Sequence, residues 1–143
     1  MTMVYARSFK DLRVYQKARE VSRAVFKLSK SFPKEEMYSL TDQARRAARS
    51  VGAQIAEAWG KRRYEKHFVS KLTDADAEQM ETQHWVGEAL DCGYLSQVDA
   101  GQLHSSLQEV GRMLNSMMEK ADSFCGPPDG ILREMATEYF TDP

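Results

Sequence analysis

Four stretches of this 143-residue chain carry an apolar residue at every third or fourth position, and glycine or proline interrupts the pattern between them. That period stacks side chains on one face of an α-helix; a strand would need alternation at every second residue. The first stripe, over about 11–31, is Leu12, Ala18, Val21, Val25, Leu28 and Phe32, with Arg13, Lys17, Arg23 and Lys27 opposite. Phe32-Pro33 ends it, because proline disfavours helical geometry in the residue before it. Pro33 then suits the first turn of a second helix, whose positive end Glu35 and Glu36 complement.

The second stripe is Leu40, Ala44, Ala47, Val51, Ile55 and Ala58, running to Trp59 and stopped by Gly60. Its alanines, with Ser50 and Gly52, leave a thin surface that lets partner helices approach closely. The third, from Tyr64 to Cys92, is Phe68, Leu72, Ala75, Gln79, Val86 and Leu90, with Gln83 beside it. Two glutamines on a core stripe require hydrogen-bonding partners, since a buried unpaired amide is costly. Gly93 stops this helix, and Ser96 with Asp99 three residues on marks the next start. Leu103, Leu107, Val110, Leu114, Met118 and Ala121 form the fourth stripe, to Phe124, before Gly126-Pro127-Pro128 breaks it.

Four amphipathic helices with short connectors predict an all-α fold, an antiparallel up-down-up-down four-helix bundle. One domain is expected over 1–126, with a C-terminal tail over 127–143 that has room for one short helix near Ile131 to Ala136. With 8 Gly and 4 Pro the chain is too poor in turn-formers for a many-stranded barrel. It has no run of about 18 apolar residues that would span a membrane and no signal-peptide core at MTMVYARSFKDLR. Cys92 and Cys125 make no disulfide framework, so a cytoplasmic location is expected.

The formal net charge of -1 conceals a division. Residues 1–66 hold 16 Lys and Arg against 7 Asp and Glu, a net +9; residues 67–143 hold 4 against 14, a net -10. Such asymmetry marks nucleic-acid contact or complementary association. Arg45, Arg46 and Arg49, with Lys61, Arg62, Arg63 and Lys66, are the candidate nucleic-acid-binding residues. Guanidinium groups grip phosphate bidentately, and Tyr64 and His67 stand ready to stack on unpaired bases. The alternative is that these cations pair with the acidic third helix, within or between subunits.

Other chemistry is thinly supported. Glu81 and His84 have the i, i+3 spacing of di-iron bundles, but neither His67 nor His104 has a Glu three residues earlier to complete the set. No metal or cofactor is expected, and purified protein should lack stoichiometric iron, manganese or zinc. No glycine-rich phosphate loop or activated nucleophile stands out, so no enzyme is read here. Trp85 lies away from the Phe68–Leu72–Val86–Leu90 stripe, on the side of Glu78, Glu81 and Ala89. That makes these four residues the candidate oligomer interface, because an aromatic on an acidic face suggests an interaction site.

Several motifs together are similar to the proteins encoded in intervening sequences of 23S ribosomal RNA genes. They are Phe9-Lys10-Asp11-Leu12 with Val14-Tyr15 and Ala18, and Phe32-Pro33-Lys34-Glu35-Glu36 with Tyr38 and Leu40. Gln43-Ala44-Arg45-Arg46-Ala47-Ala48-Arg49-Ser50-Val51 and Ile55-Ala56-Glu57 follow, then Phe68, Ala75, Glu81 and Gly93-Tyr94-Leu95. Gln54 and Ala58 depart from that pattern, which usually has Asn and Gly there. The resemblance implies an antiparallel four-helix bundle that assembles as a homopentamer. It also implies a fold similar to the accessory variability protein of diversity-generating retroelements, which is thought to bind nucleic acid and a reverse transcriptase. The expected partners are therefore the chain itself, RNA or DNA, or another protein, and no membrane.

Overall fold

In the computed structural model, which describes residues 6–126, the four stripes become α1 (Arg13–Ser29), α2 (Asp42–Gly60), α3 (Glu65–Asp91) and α4 (Gln97–Glu119), followed by the single turn α5 (Ala121–Phe124). No strand occurs among the described residues, and no helix there is long and apolar enough to cross a membrane. The expected tail at 127–143 lies outside the described residues.

Contacts between helices fix an antiparallel order. Arg45 meets Ser29 and Gly52 meets Tyr15 across α1 and α2, so numbers fall on one helix as they rise on the other. Thr73 with Met118 and Asp76 with Asn115 do the same for α3 and α4, while Lys71 with Gln54 joins α2 to α3 and Lys17 with Glu109 joins α1 to α4. The helices thus form a ring in which α1 and α3 occupy opposite corners.

Two apolar clusters fill the interior. One joins Val14, Ile55, Phe68, Leu72, Leu114 and Phe124; the other joins Val21, Val25, Ala44, Val86, Leu103 and Leu107. Between them on α3 lie the two glutamines, and they are paired as required. Gln79 Nε2 donates to Asp76 Oδ1 at 2.9 Å, Gln83 Nε2 donates to Gln79 Oε1 at 2.7 Å, and Asn115 Nδ2 donates to Asp76 Oδ2 at 3.2 Å.

The element boundaries differ from expectation in places. The first helix begins at Arg13 rather than Asp11, because Ser8 and Asp11 cap a separate turn over Phe9–Asp11. The second does not run unbroken from Pro33, whose ψ of 145° is extended. A 3-10 turn (Lys34–Glu36) and a wide π turn (Met37–Thr41) come first. The wide turn brings Leu40 and Thr41 inward and leaves Tyr38 94% exposed. On α4 the buried methionine is Met117, not Met118, and on α3 Ala89 is buried in place of Leu90, which is half-buried. Ser96 caps α4 by accepting from the Asp99 N–H at 3.1 Å, as its sequence position predicts. Gly93, with φ of 78°, ends α3 in the left-handed region that glycine enters without strain.

Candidate nucleic-acid interface

Between α1 and α2 runs an open groove of about 840 Å³. Its apolar floor comes from Phe9, Tyr15 and Phe26 together with Gly52, Ala53 and Ala56. Gly52 lets the Tyr15 ring pack closely against α2, as its size promises in the sequence, while Ala53 is exposed at the groove. Arg19, Arg23, Lys27, Lys30 and Arg49 form the rim.

Phe26 organises the cations. Its ring, 38% exposed, lies 4.8 Å from Lys30 Nζ, 4.8 Å from the Arg45 guanidinium carbon and 5.5 Å from that of Arg49. Arg45 is held from a second side, where its Nε donates to Ser29 Oγ at 2.8 Å. Ser29 is itself buried, and its hydroxyl donates to the Phe26 carbonyl at 3.1 Å. At the other end of the groove Arg19 Nη1 donates to the Tyr15 hydroxyl at 3.1 Å, and Tyr15 stands edge-on to Phe9. Among the described residues no carboxylate lies within 4.0 Å of Arg19, Arg23, Lys27, Lys30, Arg45 or Arg49. Cations packed together on a low-dielectric ring with no counter-charge favour an incoming anion.

The candidates from sequence divide. Arg49 lines this groove, and Arg45 stands at its margin over the Phe26 ring. Arg46 does not: its side chain is 73% exposed and pairs with Asp42 at 3.8 Å, one turn away. Lys61, Arg63 and Lys66 are exposed at the α2–α3 turn, about 24 Å along α2 from Arg45 at the helical rise. Arg62 is not available to a phosphate in the way its neighbours are. Its guanidinium stacks on Trp59 at 3.6 Å and donates to the Trp59 carbonyl at 2.8 Å, and burial lowers its pKa. Tyr64 and His67 lie together, ring centres 5.4 Å apart, at that same end. The α1 residues Arg19, Phe26 and Lys30 complete the groove and were absent from the candidate set. Their signal is the run Tyr15, Arg19, Arg23, Phe26 and Lys30, spaced at four and three, a second stripe beside the core one.

The acidic face of α3 borders the far side of α2, where the Ser50 hydroxyl hydrogen-bonds the Glu78 carboxylate and Lys71 bridges Asp74 and Glu57. Glu78 is half-buried and its pKa is raised, first by burial and then by the charge of Glu81, with Asp74 adding to it. The interface set needs two corrections. Ala89 is 1% exposed within the core of a single chain, in the cluster that also holds Ala44 and Ala48 of α2 and Ala100 of α4. Trp85 is not left in water. It packs half-buried against the second core cluster, and its indole N–H points to Glu81 Oε2 at 3.4 Å. His84 turns to Glu88 at 3.9 Å, away from Glu81. Among the described residues no group of three or more His, Cys, Asp or Glu is arranged to hold a metal ion.

Cys125 gains a basic neighbour that its sequence surroundings lack, Arg62, yet burial outweighs that charge and pushes the thiol up to about 11. A thiol protonated at pH 8 is a poor nucleophile. With iodoacetamide at pH 8, exposed Cys92 should therefore label at least about tenfold faster than Cys125, as read by peptide mass spectrometry. Equal rates would mean that the α5 end opens freely.

Comparison with known proteins agrees with the fold. The sequence model of the 23S rRNA-intervening sequence protein family matches residues 10–116. Among solved structures, the chain is similar to a protein of unknown function from the S23 ribosomal protein family of Bacteroides thetaiotaomicron VPI-5482. The two share 23% identity at a TM-score of 0.67, over 74% of this chain and 98% of that one. No curated protein matches.

Proposed function

The chain belongs to the 23S rRNA-intervening sequence protein family, and from that premise we propose that it is a non-enzymatic protein that binds structured nucleic acid along the α1–α2 groove. One observation carries the reading: six cations gather along that groove and around the exposed Phe26 ring without a carboxylate partner among the described residues. Phosphate contacts of this kind dominate nucleic-acid affinity and make it salt-dependent. A cytoplasmic setting fits such a role, and the free thiols of Cys92 and Cys125 suit it.

The parent chain should be retained on heparin and bind a folded RNA with an affinity that falls steeply between about 50 and 200 mM salt. Absence of binding at the lower salt would end this reading. Single charge reversals sharpen the test. Arg49→Glu should weaken binding about tenfold or more, whereas Arg46→Glu, outside the groove, should change it less than about threefold. Equal effects would move the site elsewhere.

A second reading draws on the separation of charge between the α1–α2 groove and α3. The cationic groove of one copy complements the acidic α3 face of another, a head-to-tail contact that closes into a ring. The homopentamer implied by the family resemblance is such a ring. Light scattering should then report an assembly that high salt dissociates; a chain monomeric at high concentration removes it.

A further inference from the structure

We infer that the α1–α2 groove selects unpaired nucleotides, seating bases on Phe26 and Tyr15 while the surrounding cations hold the strand's phosphates. This rests on the nucleic-acid reading above and narrows its ligand class. A purely electrostatic surface needs no exposed rings. Here Phe26 is 38% exposed, and three cations are drawn in around it. Arg45 is oriented before any ligand arrives. Its Nε is committed to buried Ser29, its guanidinium carbon lies 4.8 Å from the centre of the Phe26 ring, and its terminal nitrogens have no protein partner among the described residues. A guanidinium fixed in this way offers one edge to a phosphate and a flat surface to a base.

The two aromatic stations are eleven residues apart on α1, about 16 Å along the helix, enough for at most about five stacked nucleotides at ~3.4 Å each. Gly52, Ala53 and Ala56 line the Tyr15 end of the floor, where Gly52 packs against the Tyr15 ring, and between the two stations α1 presents the short side chain of Ser22. A duplex cannot use these features. Its base faces are already stacked, and the A-form major groove is too deep and narrow for side chains to read. Only an unpaired strand, or the loop of a structured RNA, presents anionic phosphates and open base faces together. An acidic polypeptide would satisfy the cations alone.

The test compares a labelled single-stranded RNA of about 12 nucleotides with its duplex, by fluorescence anisotropy on the full chain, at matched low salt. The single strand should bind about tenfold tighter. Phe26→Leu keeps an apolar side chain outside both core clusters, so the fold should survive, which far-UV circular dichroism checks. That variant should weaken single-strand binding about fivefold or more, the loss of one base–aromatic stack, with the salt slope unchanged. A bromouridine-substituted strand should photocrosslink to Tyr15 or Phe26. The inference is overturned by a duplex bound as tightly as the strand, by a Phe26→Leu affinity within about twofold of the parent, or by polyglutamate competing as well as RNA. Crosslinks confined to residues 61–66 would also overturn it. If neither strand nor duplex binds at low salt, the nucleic-acid reading itself fails first.

Discussion

Replacing Arg23, Lys30, Arg45 and Arg49 together by Gln is expected to reduce RNA affinity on the order of a hundredfold near 0.1 M salt. It should flatten the dependence of log K on log salt by about three, since each lost phosphate contact removes about 0.7 to 0.9 from the slope. Glutamine keeps length and polarity but releases no counterions. Stability should barely move. Arg23 and Arg49 are exposed, and Ser29 still donates to the Phe26 carbonyl when Arg45 is gone. The salt slope separates this loss from general damage, because a partly unfolded chain would bind less at every salt with its slope intact. Parent-like affinity in the folded variant would show that the groove is not where phosphates sit.

The largest effect on stability is expected from Gly111→Val. A Cβ at Gly111 would lie 2.7 Å from Gln79 Nε2 and 3.3 Å from Asp76 Oδ1. Gln79 is 3% exposed and cannot swing into water. Helix propensity alone would favour a side chain over glycine by a few tenths of a kcal/mol. Overpacking costs about 1–3 kcal/mol and each orphaned buried polar group about 1–3 more, so the clash decides the sign. We expect a net loss of about 3 kcal/mol and a fall in Tm of about 10 °C, by urea and thermal melts. Adding Gln79→Ala should recover part of it, because the two positions share one space and their effects cannot add. A fully additive double variant would mean that Gly111 matters for some other reason.

The bundle was legible because its apolar stripes are long and regular; errors arose where two residues compete for one direction. From Leu114 the next inward position is three or four residues on, so Met117 and Met118 both fit. The phase continues through Met117, Ala121 and Phe124, all buried. Ala89 takes the core in place of Leu90 because the buried phase on α3 runs Gln79, Thr82, Val86, Ala89, at steps of three and four. Trp85 was placed correctly by angle, but its length carries the ring back over the core edge. The π turn at Met37–Thr41 has no compositional signature. The groove was half visible: the α2 arginines stand out as a motif, whereas their α1 partners become neighbours only once the helices pack antiparallel.

The placement of α1 and α3 at opposite corners has an electrical consequence. With unpaired cations at the α1–α2 groove and Asp74, Glu78, Glu81 and Glu88 on α3, charge of opposite sign is separated across the width of the bundle. In the field of a polyanion such a body experiences a torque. If the proposed ligand is the polyanion, that torque would turn the groove toward it before the two touch. Orientation is then supplied during approach rather than searched for after contact. That shortens the encounter most in dilute salt, where the field reaches about 30 Å, and much less at physiological ionic strength, where it fades within about 8 Å.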